Sequence, residues 1–287
     1  MYKLECSTYK VHSRRQTIKQ VNKKGLSLMW LDLCIGTLIP LIGTACGAAL
    51  VFFIRNRLND DLERTMLGFA AGIMTAASFL SLLIPSLEES AQMGRLSFVP
   101  AVTGFWIGIL FLFALDEIIP HLHLKSTSPE GPKTKLDKVS MLVLAVTLHN
   151  IPEGMAVGAV LAGWIADSSI TYMAAISLSI GIAIQNCPEG ALISVPLRSL
   201  GVGRIKSFLG GIISGLAGVL GTLLMFFAAS TISSYLPYIL SFAAGAMIYV
   251  VVEDLIPEMS KGKHSNLMTL MFAFGFTCML ILDVALG

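Results

Sequence analysis

The sequence predicts an all-α, polytopic membrane protein with eight transmembrane helices. Of its 287 residues, 55% are hydrophobic and only 13% are charged, whereas soluble proteins carry roughly 25% charged residues. The mean hydropathy of +0.77 agrees with this imbalance. Because one crossing takes about 20 apolar residues, eight crossings account for most of the chain and leave short loops. This composition excludes an ordinary soluble enzyme.

Eight apolar runs give the helices in chain order. They are expected near residues 33–54, 64–86, 98–120, 139–163, 171–197, 205–230, 236–258 and 265–286. The longest connection, about residues 121–138, contains Pro129, Gly131 and Pro132 among mixed charges and is predicted to be a loop. An even number of crossings places both chain ends on the same side of the membrane.

Basic residues distinguish the two sides of the membrane. The loops that follow the odd-numbered helices contain twelve of them, which are Arg55, Arg57 and Arg64; Lys125, Lys133, Lys135 and Lys138; Arg198, Arg204 and Lys206; and Lys261 and Lys263. The remaining loops and the C-terminal end contain only Arg95. Short cytosolic loops are enriched in lysine and arginine. We therefore expect a multi-pass protein of the cell membrane with both termini outside the cytosol.

The first 28 residues do not fit this pattern. They carry seven basic residues, Lys3, Lys10, Arg14, Arg15, Lys19, Lys23 and Lys24, and would favour the cytosol. We expect residues 1–28 to be a disordered or signal-like tail, or an extension upstream of a start at Met29, and residues 29–287 to form the eight-helix domain. The overall net charge of +2 leaves no large basic surface, so nucleic acid is not an expected partner.

Two pairs of segments repeat within the chain. Residues 149–154 read HNIPEG and residues 185–190 read QNCPEG, in consecutive helices that must run antiparallel. Residues 69–74 and 242–247 read FAAGIM and FAAGAM, and each is followed by an Ile-Pro pair. These echoes predict inverted repeats that relate helices 1–3 to helices 6–8 around a central pair of helices 4 and 5. Secondary transporters with inverted repeats bind their substrate near the middle of the membrane.

The repeated motif places polar side chains inside two apolar helices. Residues four apart share one helix face, so His149 lies with Glu153 and Gln185 lies with Glu189. A carboxylate at the bilayer centre costs roughly 3 kcal/mol or more unless it is compensated, and a bound cation would compensate it. The candidate metal ligands are His149, Asn150, Glu153, Gln185, Asn186 and Glu189.

Nitrogen and oxygen donors without a thiolate cage favour Zn²⁺, and Fe²⁺, Mn²⁺ and Cd²⁺ fit the same donors. Further acidic and histidine residues near the helix ends are candidates for an ion pathway. They are Glu88, Glu89 and Asp283 near the outer ends and, toward the cytosol, Asp116, Glu117, His121, His123, Glu253, Asp254 and Glu258. Capping, interfacial and solvated roles are open alternatives for each of them.

These motifs carry a resemblance to a known family. The HNIPEG and QNCPEG pair, the two FAAG segments, and Leu115-Asp116 leading to Pro120-His121-Leu122-His123 resemble the ZIP (Zrt/Irt-like) divalent metal transporters, specifically the GufA-type branch. The resemblance covers nearly everything after Gly36. It implies eight helices, termini outside the cytosol, a binuclear site between helices 4 and 5, homodimers in the lipid bilayer, and transport toward the cytosol.

The resemblance also distributes the ligands over two metal positions. The first is implied to use His149, Glu153, Gln185 and Glu189, and the second Asn150, Glu153, Asn186 and Glu189. Related members complete the second position with Ser-Gly-x-x-Glu on helix 6, where this chain reads Ser214-Gly215-Leu216-Ala217-Gly218. The missing carboxylate predicts weaker occupancy of the second position.

The leading hypothesis is therefore a zinc or divalent-cation transporter that is not an enzyme. No Gly-x-x-x-x-Gly-Lys-Ser/Thr loop is found in the sequence, so nucleotide hydrolysis by that route is not expected. An intramembrane metal-dependent hydrolase is an alternative, although no HExxH pair or spare general base accompanies the proposed ligands. A metal sensor that binds without transport is a second alternative.

Overall fold

The computed structural model describes residues 26–54, 58–121, 131–166, 168–231, 233–262 and 266–286. In these ranges eight helices are long and apolar enough to cross a membrane, which confirms the predicted fold class. They are α1 (Leu26–Ala48), α2 (Asp60–Ala77), α3 (Phe98–Ile118), α4 (Lys138–Ile165), α5 (Tyr172–Ser199), α6 (Arg204–Thr231), α7 (Leu236–Val250) and α8 (Asn266–Leu286).

Side-chain caps fix where several helices begin. Asn59 accepts a hydrogen bond from the Asp61 backbone N–H at 3.2 Å at the start of α2. Asp137 accepts one from the Ser140 N–H at 3.0 Å at the start of α4. Such caps satisfy backbone donors that have no partner within the first turn. Residues 1–25 of the predicted tail lie outside the described residues, and its last three residues, 26–28, belong to α1.

Two helices continue through a π-helical segment just before the repeated Ile-Pro pairs. α2 runs through Ser78–Leu83 into Ile84–Glu89, and α7 runs through Val251–Leu255 into Ile256–Ser260. Proline lacks the N–H that donates the backbone hydrogen bond of an α-helix, and the wider π-helical turn accommodates this missing bond. The same local geometry at both echoes supports the inverted repeat, which remains a prediction.

The helices pack mainly in four pairs. α1 packs on α5, α4 on α6, α2 on α8, and α3 on α7. The predicted repeat relates α1 to α6, α2 to α7, α3 to α8 and α4 to α5. Under this exchange the α1–α5 pair corresponds to the α4–α6 pair, and the α2–α8 pair corresponds to the α3–α7 pair. The pairing therefore has the symmetry that the predicted repeat requires.

Glycines set how closely the paired backbones approach. A Cβ on Gly154 of α4 would lie 1.9 Å from the carbonyl oxygen of Gly218 on α6, and a Cβ on Gly72 of α2 would lie 2.0 Å from that of Phe272 on α8. A side chain at such positions would force the paired helices apart. Small residues allow the close contact that stabilises helix pairs in lipid, where the hydrophobic effect adds little.

These pairs form two groups, α1, α4, α5 and α6 in one and α2, α3, α7 and α8 in the other, joined chiefly by contacts of α4 with α7 and of α2 with α5. The most apolar stretches of the α2 segment, α4 and α5 are each 67% buried, whereas that of α8 is 17% buried. α2, α4 and α5 thus lie toward the inside of the bundle and α8 faces outward, and a central pair of α4 and α5 remains a prediction.

Candidate metal site

The centre of the site is a contact between a carboxyl and an amide side chain on α4 and α5. These two helices carry the HNIPEG and QNCPEG segments, which we call the PEG motifs. Glu153 on α4 is 1% exposed, and its Oε1 accepts a hydrogen bond of 2.6 Å from Nε2 of Gln185 on α5. The side chain of Asn186 also faces the Glu153 carboxyl. The antiparallel packing expected from the repeat therefore brings these three predicted ligands together.

A second carboxylate lies beside the first. Glu189 is buried on α5, close enough to Glu153 for the two charges to repel each other. Glu153 Oε2, Glu189 Oε2, Gln185 Oε1 and Asn186 Oδ1 are all buried and have no hydrogen-bond partner among the described residues. Unsatisfied buried polar atoms each cost about 1–3 kcal/mol. Buried oxygens without partners on two packed helices are donors that a bound cation would satisfy.

His149 faces a residue that the PEG motif does not contain. Its Nε2 lies 2.8 Å from Oδ2 of Asp254, which is buried in the π-helical segment of α7. Glu189 also exerts an attractive charge on His149. The imidazole thus connects the central pair of carboxylates to the second group of helices. Asp254, predicted as a pathway residue, directly contacts a predicted ligand.

Asn150, the remaining predicted ligand, is buried on the adjoining face of α4. Its Nδ2 donates a hydrogen bond of 3.0 Å to the Val146 carbonyl, which holds the side chain along its own helix. A Cβ on Gly218 would lie 3.3 Å from the Asn150 carbonyl oxygen. Gly218, where related members have a carboxylate, therefore adjoins Asn150, a ligand that the resemblance implies for the second metal position.

Glu258 is a further acidic candidate of the cytosolic half, on the helical continuation of α7. It is 8% exposed, its Oε1 has no hydrogen-bond partner among the described residues, and its charge reaches His149. It lies four residues after Asp254, so the two carboxylates share one helix face. The structure therefore places Glu258 beside the contact between Asp254 and His149.

The six predicted ligands are neighbours but do not form one compact coordination shell. Among the described residues, no three His, Cys, Asp or Glu side chains are close enough to hold a single metal ion. Two pairwise contacts involve these ligands, since Gln185 donates to one oxygen of Glu153 and Asp254 contacts the imidazole of His149. A single cation bound by all of them would require these two contacts to open.

On the side predicted to face outward, a cavity of about 270 Å³ adjoins α2, α5 and α8. Its lining includes the predicted pathway residue Glu88 together with Ser81 and Asp283, and the Ser81 hydroxyl donates a hydrogen bond of 2.7 Å to Asp283. We call it the outer cavity. Two carboxylates at its wall would raise the local concentration of cations.

At the opposite end, Asp116 connects two neighbours. His121 Nε2 lies 3.1 Å from its Oδ1, and the Tyr249 hydroxyl donates a 3.3 Å hydrogen bond to its Oδ2. The predicted pathway residues Glu117 and Glu253 are exposed. His123 lies outside the described residues.

Comparison with known proteins gives a consistent result. The model of the family described as "ZIP Zinc transporter" matches residues 134–283. The chain is 34% identical over 333 residues to the zinc transporter ZIP11 of Xenopus tropicalis, covering 90% of this chain and 98% of that protein. It is 35% identical to the zinc transporter ZIPB of Bordetella bronchiseptica, covering 88% and 81%, and 32% identical to the zinc transporter GufA of Myxococcus xanthus, covering 86% and 96%.

Proposed function

Because this chain belongs to the ZIP family of zinc transporters, we propose that it carries divalent cations across a membrane, with zinc as the main substrate and the cytosol as the destination. The relatives named above are all zinc transporters. Fe²⁺, Mn²⁺ and Cd²⁺ are further substrates that imidazole and oxygen donors accept.

The observation that carries this proposal is the pair of neighbouring buried carboxylates, Glu153 and Glu189, on α4 and α5. Two carboxylates inside a membrane protein are costly unless a positive charge joins them. Each has an oxygen without a hydrogen-bond partner among the described residues, and amide oxygens from Gln185 and Asn186 face the same region. A divalent ion supplies the charge that this arrangement requires.

The proposed pathway follows the acidic residues from one end of the molecule to the other. An ion enters through the outer cavity past Glu88 and Asp283, is bound between α4 and α5, and leaves along α7 past Asp254 and Glu258. His149 would exchange its contact with Asp254 for a contact with the ion. Relative movement of the two helix groups around the central site would expose it first to one side and then to the other.

We further propose that the protein lies in the cell membrane with its termini outside the cytosol, and that it forms homodimers. The twelve-to-one distribution of basic residues between the loops supports the orientation. The apolar surface on α3 and α8, whose most apolar stretches are only 28% and 17% buried, leaves room for lipid or a second copy.

The test is zinc uptake into proteoliposomes that contain a zinc-sensitive dye. The Glu153→Gln, Glu189→Gln double variant keeps the side-chain shape and removes both charges, and we expect its uptake to fall to the background of empty vesicles. The matched control is Asp60→Asn, Asp61→Asn, which removes two carboxylates from the exposed first turn of α2. Its uptake should stay within about twofold of the parent. Asp61 lies 3.6 Å from the guanidinium of Arg64, but an exposed partner contributes at most about 1 kcal/mol, and Arg64 keeps its hydrogen bond to the Met259 carbonyl.

The same assay separates transport from the alternatives. Zinc that binds stoichiometrically to the parent protein without entering the vesicles would contradict transport and favour a sensor. Uptake by the double variant equal to that of the parent would contradict the proposed site.

A further inference from the structure

A basic groove lies between the end of α5 and the start of α6. It has a volume of about 640 Å³ and is lined by Phe52, Arg198, Gly203, Arg204, Ile205 and Lys206. We call it the α5–α6 groove. Three of its six lining residues are cationic and none is acidic, so its charge is uniformly positive.

The cations of the α5–α6 groove are available to a ligand. Arg204 and Lys206 are exposed, and none of the three cations forms an ion pair within the described part of the chain. The Arg198 guanidinium donates one hydrogen bond of 3.2 Å to the Val202 carbonyl, which orients it along the loop. A Cβ on Gly203 would meet nothing within 4 Å, so the space above this residue is open.

The groove also has an apolar side. Phe52 is 39% exposed and stacks at a tilt on Phe208 of α6, with ring centroids 5.3 Å apart. Ile205 is 69% exposed beside it. Cations next to exposed aromatic and aliphatic side chains match a ligand whose anionic end joins a hydrocarbon part.

The groove lies at the membrane surface, because α5 ends at Ser199 and α6 begins at Arg204. In the orientation proposed above, this is the cytosolic end. The cytosolic leaflet carries anionic lipids, and basic pockets between transmembrane helices bind their headgroups. A soluble anion would make no use of Phe52 and Ile205.

We propose that the α5–α6 groove binds the phosphate-bearing headgroup of an anionic phospholipid from the cytosolic leaflet. Arg198, Arg204 and Lys206 hold the phosphate, and the acyl chains lie along Phe52 and Ile205. α5 carries Gln185 and Glu189, so a bound lipid would anchor the cytosolic end of a helix that forms the metal site. The assignment to this leaflet depends on the proposed orientation, whereas lipid binding itself does not depend on zinc transport.

The experiment titrates phosphatidylglycerol into the purified full-length protein in a neutral detergent and counts bound lipid by native mass spectrometry. Phosphatidylcholine serves as the lipid of equal size without net charge. The test variant is Arg204→Gln, Lys206→Gln, and the matched control is Lys133→Gln, Lys135→Gln, which removes two exposed lysines from another loop on the same side. The variant Arg204→Lys, Lys206→Arg retains both charges.

We expect the test variant to bind phosphatidylglycerol about 30-fold more weakly than the parent, because each cation near an anionic headgroup strengthens binding about fivefold. The control and the charge-retaining variant should stay within about threefold of the parent, and phosphatidylcholine should bind weakly to all four proteins. This pattern supports the groove as a lipid site.

Three results would overturn the proposal. Equal weakening in the test and control variants would indicate general attraction to positive charge. Equal binding of phosphatidylcholine, which also carries a phosphate, would show that the groove does not select the net negative charge of the headgroup. Displacement of the lipid by inorganic phosphate at equal concentration would assign the groove to a free anion. Because binding is measured in detergent, none of these results depends on whether the protein transports zinc.

Discussion

At the scale of single residues, the site is organised by the contact between His149 and Asp254. The sequence identified both residues but assigned them to different roles, since they are more than 100 positions apart. Their 2.8 Å contact links the group of helices that carries the PEG motifs to the group that contains α7. An ion bound at His149 would loosen this link, which couples binding to movement between the two groups.

Asp254 and its neighbour Glu253 were equal candidates in the sequence, and the structure distinguishes them. Asp254 is 5% exposed and contacts His149, whereas Glu253 is exposed. We expect Asp254→Asn to slow zinc uptake about tenfold, because a buried anionic group next to the site is lost. Glu253→Gln, with the same chemical change one position away, should alter uptake less than twofold. Initial rates in proteoliposomes measure both, and equal effects would contradict a specific role for Asp254.

At the scale of helices, the sequence predicted the parts of the fold that depend on local pattern. Apolar length identified all eight helices, and the repeated PEG spacing correctly predicted that Glu153, Gln185 and Asn186 would meet. The π-helical segments and the burial of Glu258 were not predicted. Both depend on how a helix adjusts to proline and to its neighbours, which a single helical period does not describe.

The α4–α6 crossing makes a testable prediction about packing. Gly154→Ala would put a Cβ 1.9 Å from the Gly218 carbonyl oxygen, whereas Gly218→Ala would put one 3.3 Å from the Asn150 carbonyl oxygen. Overpacking costs about 1–3 kcal/mol, so we expect Gly154→Ala to lower the thermal unfolding midpoint in detergent by about 5 °C. Gly218→Ala should lower it by about 2 °C or less.

These two alanine variants control for each other, because they add one methyl group to opposite sides of the same helix crossing. A larger effect of Gly218→Ala, or no effect of either variant, would contradict the close backbone contact between α4 and α6. The measurement requires only the folded protein and does not depend on zinc.

At the scale of the whole molecule, orientation in the membrane decides which end of the proposed pathway faces the cytosol. The outer cavity and the Asp116–His121 contact lie at opposite ends of the helices, so the side on which each end lies decides where an ion enters. The charge of the loops supports one orientation, and the seven basic residues in the N-terminal tail favour the opposite one.

Cysteine labelling in intact cells measures the orientation. Gln92 lies in the exposed 3₁₀ turn after α2, and Lys261 is exposed after α7. In a Cys6→Ser background, which removes the cysteine of the tail, Gln92→Cys should react with a membrane-impermeant maleimide in intact cells. Lys261→Cys should react only after permeabilisation, because the positive-inside rule places its loop in the cytosol. The background protein alone controls for the cysteines inside the helices, and the reverse labelling pattern would invert the proposed direction of zinc movement.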